Sequence, residues 1–259
     1  MADVSIPIGV LENYASGVNQ LSENARADLE ASLRAIDLRD QDMVMDLMAG
    51  ACRAQSLAAT HYAAEYYRGM SILQTGRGIR VDPKSSYDRN ATDVAVRGIY
   101  NQCDLGDGEL DEEMLMNKLL DRVAFEVNRA SKVGVWRAGR ADRRDVRYAR
   151  IPVGAETCAW CLMTAGLGYW FMTEEAASHT HAHCDCVILP SIGRGEVHIP
   201  GYDSTVYRDM WRAANKALNE GAVPQELADR VDYLAATVKG YRKDTNGALA
   251  VMRWQYGLK

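Results

Sequence analysis

The sequence has no apolar run near the roughly 20 residues that a membrane-spanning helix requires, so no helical membrane segment is expected. It has no basic stretch followed by an apolar one after Met1-Ala2-Asp3-Val4-Ser5, so no secretory leader is expected and the chain reads as one that starts life in a cytoplasm. It has no excess of positive charge: the formal net charge of −5 gives no global electrostatic case for nucleic-acid binding. No internal repeat or low-complexity block interrupts it. The segment Asp104-Leu105-Gly106-Asp107-Gly108-Glu109 lacks the alternating acidic spacing of a calcium loop. A turn is expected there, feeding a helix whose first residues, Asp111, Glu112 and Glu113, suit the positive end of its dipole. What remains is ordinary for a globular protein: 259 residues, 47 % hydrophobic and 25 % charged, enough to bury a sizeable core in one or two domains.

The six cysteines are not spread as a disulfide framework would spread them. Cys52 and Cys103 stand alone in helical-looking sequence and read as small buried hydrophobes. The other four fall in two clusters, Cys158-Ala159-Trp160-Cys161 and His179-Thr180-His181-Ala182-His183-Cys184-Asp185-Cys186. Thiolates and imidazoles are borderline-soft ligands that suit a tetrahedral zinc ion. A C-x-x-C pair on one turn brings two sulfurs to one ion, and a second pair from a distant segment closes the tetrahedron. Seven groups compete for four places: Cys158, Cys161, His179, His181, His183, Cys184 and Cys186. Cys158 and Cys161 come first and Cys186 next, while the fourth place stays open between His181 and Cys184. A structural zinc ion is therefore the expected cofactor.

Three other chemistries compete for these residues. A thioredoxin-like redox pair would want a βαβ context around the C-x-x-C, and the flanks do not provide one. Hydrolytic zinc would need an open coordination place and a carboxylate base, for which Glu156, Glu174, Glu175 and Asp185 are at hand. A serine–histidine pair using His61 or His198 has no G-x-S-x-G elbow to support it.

Periodicity makes the chain mostly helical, in an α+β arrangement. Residues 8–72 read as helix, with Leu11, Tyr14, Val18 and Leu21 on one stripe and a break at Ser22-Glu23-Asn24. A longer stripe follows: Val44, Leu47, Ala51, Ala54, Ala58 and Tyr62, small enough for another helix to approach closely. Gly69 and Gly76-Arg77-Gly78 are expected to end it. Helices resume over 91–100 and from Leu115 to about Ser131. Short strands are expected at 148–153, 169–171 and 186–189, with a helical turn at 173–177 capped by Thr173. Helices return at 206–219, 224–238 and 246–256. The expected domains are a helical part over 1–132, an α+β core with a zinc knuckle over 133–200, and a helical tail over 201–259.

Arg137, Arg140, Arg143, Arg144, Arg147 and Arg150 crowd one window against only Asp142 and Asp145. On a helix their spacing would place most of them on one face. Arg137, Arg140, Arg143, Arg144 and Arg147 are then candidates for phosphate contacts, while ion pairing with the acidic segment at 109–113 or with a partner protein is the competing expectation.

The run Arg150-Ile151-Pro152-Val153-Gly154-Ala155-Glu156-Thr157-Cys158-Ala159-Trp160-Cys161-Leu162-Met163, the aromatic pair near Tyr169, the acidic Glu174-Glu175 and His181-Ala182-His183-Cys184-Asp185-Cys186 together resemble the MuF-like head-morphogenesis proteins. These are minor capsid proteins of tailed phages, here of the type carried by actinobacterial phages and prophages. The resemblance covers about residues 145–190, with a looser fit at Gly201-Tyr202-Asp203 and at Ala250-Val251-Met252-Arg253-Trp254-Gln255-Tyr256. It implies a motif similar to H-x-x-C-x-C on His181, Cys184 and Cys186, and so a metal held by four of Cys158, Cys161, His181, Cys184 and Cys186. It further implies a low-copy virion component of the capsid interior. Such a component is made in the host cytoplasm, works with portal and capsid proteins, touches packaged DNA non-specifically, and has no membrane partner. It implies no established catalysis. Some relatives are labelled capsid maturation proteases, but no protease motif is visible here, and a phage protease or zinc-dependent nuclease stands as the alternative function.

Overall fold

The computed structural model describes residues 3–82, 84–107, 109–154, 157–193, 195 and 197–258. With 64 % of residues helical and only short strands, the fold is the mostly helical α+β type that the periodicity predicts. In chain order the elements are β1 (Val4–Ser5), α1 (Ile8–Leu33), α2 (Gln41–Thr75), α3 (Arg89–Cys103), β2 (Asp104–Gly106), β3 (Glu109–Leu110) and α4 (Glu112–Ala141). They continue with β4 (Val146–Ile151), α5 (Ala159–Ala165), α6 (Glu174–Ser178), β5 (Val187–Ile192), β6 (Val197–His198), α7 (Ser204–Asn219), α8 (Gln225–Thr237) and α9 (Ala248–Tyr256).

Helices α1 to α4 form a bundle, and side-chain caps set the starts of α2, α3 and α4. Asp40, Asp88 and Asp111 accept hydrogen bonds from the backbone N–H of Met43, Ala91 and Met114 at 2.9–3.1 Å, satisfying donors that a helix start leaves open. Helix α1 runs antiparallel to both α2 and α4: Tyr14 stacks on Tyr66 at 3.9 Å and donates to the Ser131 carbonyl, while Arg26 pairs with Asp121. Helices α2 and α4 are parallel and touch most closely where Thr60 and Ala63 face Gly134, with Tyr67 Oη reaching Asp142, the residue that follows the end of α4. Helix α3 supplies the return between them.

Several expected boundaries move. Helix α1 passes unbroken through Ser22-Glu23-Asn24, because Ser22 is buried in its stripe and polar residues are tolerated on the outer face. Helix α2 passes Gly69 and stops at Gly76, whose φ of +70° is a left-handed cap that glycine adopts without strain. The face that α2 buries is turned from the expected one. Met45, Met48, Cys52, Ala59, Ala63 and Met70 face inward while Ala54 and Ala58 are exposed, because alanine is at home on either side. Helix α4 continues ten residues past Ser131 to Ala141, straight through the change of sequence character at 132–133. Strands β2 and β3 pair antiparallel, with Asp107 at φ +51° after β2, before the capped and acidic start of α4.

Strands β4 and β5 pair antiparallel from Val146–Ile192 to Ile151–Val187 and pack on α4. The expected strand at 169–171 reduces to a single bridge between Tyr148 and Trp170. The short parallel pair β1–β6 joins Val4 to Val197. A second core gathers Ala214, Leu218, Val231, Val251 and Met252 from the last helices onto Ala159 and Leu162 of α5. No helix is long and apolar enough to cross a membrane among the described residues.

Candidate metal centre

Three backbone pieces converge beside β4–β5. Cys158 is the N-cap residue of α5 and Cys161 lies in its first turn. The turn after α6 delivers His181, Cys184 and, at the threshold of β5, Cys186. Thr173 caps α6 by accepting from Ala176 N–H, as the sequence predicts. All four cysteines are buried and together form a separate cluster in contact with Trp160. None is in a disulfide. The sulfurs of Cys161 and Cys186 lie 3.2 Å apart, those of Cys184 and Cys186 3.2 Å, and those of Cys161 and Cys184 3.8 Å. A disulfide would need about 2.05 Å. Four sulfurs around one tetrahedral ion at about 2.3 Å stand roughly 3.8 Å from one another. Cys161, Cys184 and Cys186 therefore form a group that could hold a metal ion.

Cys158 stands next to this triangle. Its sulfur accepts hydrogen bonds from the Cys161 thiol, from His181 and from the Cys161 backbone N–H, and these hold it to about 4, far below the usual thiol range. Hydrogen bonds from Cys161 and Cys186 likewise lower Cys184, while Cys161 is raised by donating to its neighbours and Cys186 by burial. Thiols packed this closely share hydrogen bonds that favour the thiolate form a divalent cation binds. The bond to Cys158 also raises His181. His179 stacks on the Trp160 ring at 3.7 Å, and burial lowers it. His183 is exposed and points to Asp121 at 3.5 Å, so it leaves the competition for the metal. His198 lies on β6, paired with Ser5, and His61 is exposed on α2.

Two cations that the spacing of ligands does not reveal sit against the thiols. Arg150, fully buried on β4, donates through Nη1 to Cys186 Sγ at 2.9 Å and through Nη2 to the Ala176 carbonyl at 2.8 Å. Its guanidinium carbon lies 4.7 Å from the Trp160 ring centre. Lys132, 3 % exposed on α4, lines a small cavity with Cys184 and Cys186 and donates to Asn128 Oδ1 at 3.4 Å. Asn128 in turn holds the Ala182 carbonyl at 2.9 Å, docking the histidine-rich turn onto α4. The available signal was an arginine sharing a strand face with Val146 and Tyr148 and a lysine inside the buried face of a helix.

The arginine window does not form one helical stripe, because α4 ends at Ala141 and Asp142 is already extended. Arg137 pairs with Glu174 at 2.6 Å and Arg144 with Asp142, Ser71 and Thr75. Arg140 and Arg143 are exposed, Arg147 is half-buried, and Arg150 has gone to the thiols. The acidic segment takes another partner: Glu112 pairs with Arg39 at 3.5 Å, at the opposite end of α4. Of the carboxylates considered for hydrolysis, Glu156 lies outside the described residues. Glu174 is engaged by Arg137, and Asp185 accepts from Thr157 at 3.4 Å.

Comparison with known proteins gives one assignment. The family described as VG15 protein matches residues 7–214. No curated protein and no solved structure matches the chain. The matched region takes in the helical bundle, the strand pair and every cysteine of the cluster, and the chain belongs to the VG15 protein family, a viral family of phage-type gene products.

Proposed function

We propose that this chain is a minor capsid, head-morphogenesis protein of the MuF-like type, which associates with the portal and the inner capsid. The observation that carries this reading is the family match over residues 7–214. The sequence resemblance around Cys158–Cys161 and His181–Cys186 supplies the finer role. On this reading the cysteine cluster holds one zinc ion whose work is structural. The residues fit such an ion: Cys161, Cys184 and Cys186 are buried free thiols grouped at 3.2–3.8 Å, and Cys158 joins them in the same buried cluster. Zinc would supply folding energy to a region of short strands and turns that has little apolar surface of its own. Arg140, Arg143 and Arg147 keep enough exposure to meet packaged DNA as a salt-sensitive, sequence-independent contact.

Mass spectrometry of nuclease-treated, gradient-purified particles of the encoding phage, together with co-purification against its portal protein, tests the role. The chain is expected in particles at low copy and in complex with the portal. Its absence from particles and a lack of portal binding would sink the proposal.

A further inference from the structure

The cluster has an electrostatic requirement that free thiols do not meet. Arg150 is 0 % exposed and Lys132 3 % exposed, and neither forms an ion pair with a carboxylate among the described residues. A buried cation without a counter-charge is strongly unfavourable. The acceptors offered to these two are weak: sulfurs and carbonyls for Arg150, one amide oxygen for Lys132. Among the described residues Arg150 Nε has no hydrogen-bond partner. Asp185, adjacent in sequence, accepts from Thr157. Among the described residues, the sulfurs are the groups placed against both cations to supply the compensating negative charge.

We propose a divalent metal bound by four thiolates, the grouped Cys161, Cys184 and Cys186 together with Cys158 beside them, with Arg150 and Lys132 as its built-in counter-ions and His181 outside the coordination sphere. This rests on the zinc reading and decides among its five candidate ligands. A divalent ion with four thiolates carries two net negative charges, and the two buried cations neutralise them. Three thiolates and a histidine would carry one, leaving a buried cation uncompensated. His181 then acts as a donor to the Cys158 sulfur, alongside the Cys161 backbone N–H, and stabilises the thiolate without binding the ion. Arg150 fixes Cys186 by direct contact at 2.9 Å, and its stacking against Trp160 fixes the guanidinium. Lys132 faces Cys184 and Cys186 from the other side, from α4. The two cations thus bracket the pair of cysteines that the turn after α6 delivers.

Metal titration of the full chain tests this, with Co(II) as a spectroscopic probe and Zn(II) affinity read by competition with a chromophoric chelator. The parent is expected to show the thiolate-to-cobalt charge transfer of a four-sulfur site. His181→Ala should leave those bands and the zinc content unchanged, whereas Cys158→Ser should shift them. Arg150→Met and Lys132→Met should each weaken zinc binding by about 10- to 100-fold while keeping the four-sulfur bands, the usual range for losing a group just outside the ligands. Arg150→Lys, which restores the charge, should recover part of the loss. If Arg150→Met does not fold, Lys132→Met gives the same reading from α4. Shifted cobalt bands in His181→Ala, or undiminished zinc affinity in both cation variants, would overturn the assignment while leaving a metal site standing. A parent chain that takes up neither metal would overturn the zinc reading itself.

Discussion

Glu126 shows how single side chains hold the bundle together. It is 1 % exposed on α4, 2.5 Å from Arg129 and 3.7 Å from Arg122, and Arg129 also reaches the Ser86 carbonyl at 2.6 Å. One buried carboxylate therefore neutralises two arginines and ties the segment before α3 to α4. Removing it would strand those charges, and breaking a buried pair from one side costs about 3–5 kcal/mol. Glu126→Ala should lose that much stability in urea titration of the zinc-supplemented protein. A loss below 1 kcal/mol would mean that water already reaches the arginines. Arg150 stands in contrast, since each is a buried charge but Glu126 meets guanidinium groups whereas Arg150 meets sulfur rather than a carboxylate. Sequence alone separates them poorly. Glu126 and Arg129 stand at a spacing that commonly gives an exposed pair, and Arg150 reads as the last member of an arginine run until the strand turns it toward sulfur.

Among the elements, the parallel pair α2–α4 depends on a close approach. A Cβ placed on Gly134 would lie 2.7 Å from Ala63 Cβ and 3.3 Å from Thr60 Cα. Neither neighbour can rotate away, so Gly134→Ala must push the helices apart. Overpacking of this kind costs about 1–3 kcal/mol, to be read as a lowered urea midpoint with an unchanged slope. An unchanged midpoint would show that the helices can slide without penalty. The elements themselves were largely legible: amphipathic spacing gave α1 and α3, the acidic start gave α4, and Thr173 marked α6. The inward face of α2 was not, because its many alanines fit either side and only the position of α4 selects among them. The end of α4 was obscured for a related reason. The arginine run that begins at Arg137 reads as a change of character, whereas Arg137 stays on the helix and is held by Glu174. For the candidate site, the cysteines could be found from their spacing, but their counter-ions come from α4 and β4 and meet them only on folding.

At the scale of the whole molecule, α5 joins two cores. Cys158 and Cys161 look to the metal centre, while Ala159 and Leu162 pack on Leu218, Leu249 and Met252 of the terminal helices. If zinc holds the cysteines, its removal should loosen α5, and with it the seat of α7 and α9. Hydrogen exchange before and after chelation is expected to show lost protection over residues 146–192 and 204–256, with α1 to α3 largely protected. Uniform loss across the bundle would contradict a locally acting ion.

The parallel pair between β1 and β6 places one further demand on the chain. Val4 pairs with Val197, and the Ile6 N–H donates to the His198 carbonyl at 2.9 Å. The partners lie 193 positions apart (197 − 4). On a ribosome adding about 5–20 residues per second, the first strand waits on the order of 10–40 s for the second to be made. Throughout that interval Ile6, 1 % exposed in the finished fold, lacks part of its cover. The bundle can begin to assemble behind it, but the clasp closes only once β6 has been made, leaving Ile6 and its neighbours a natural landing place for a chaperone.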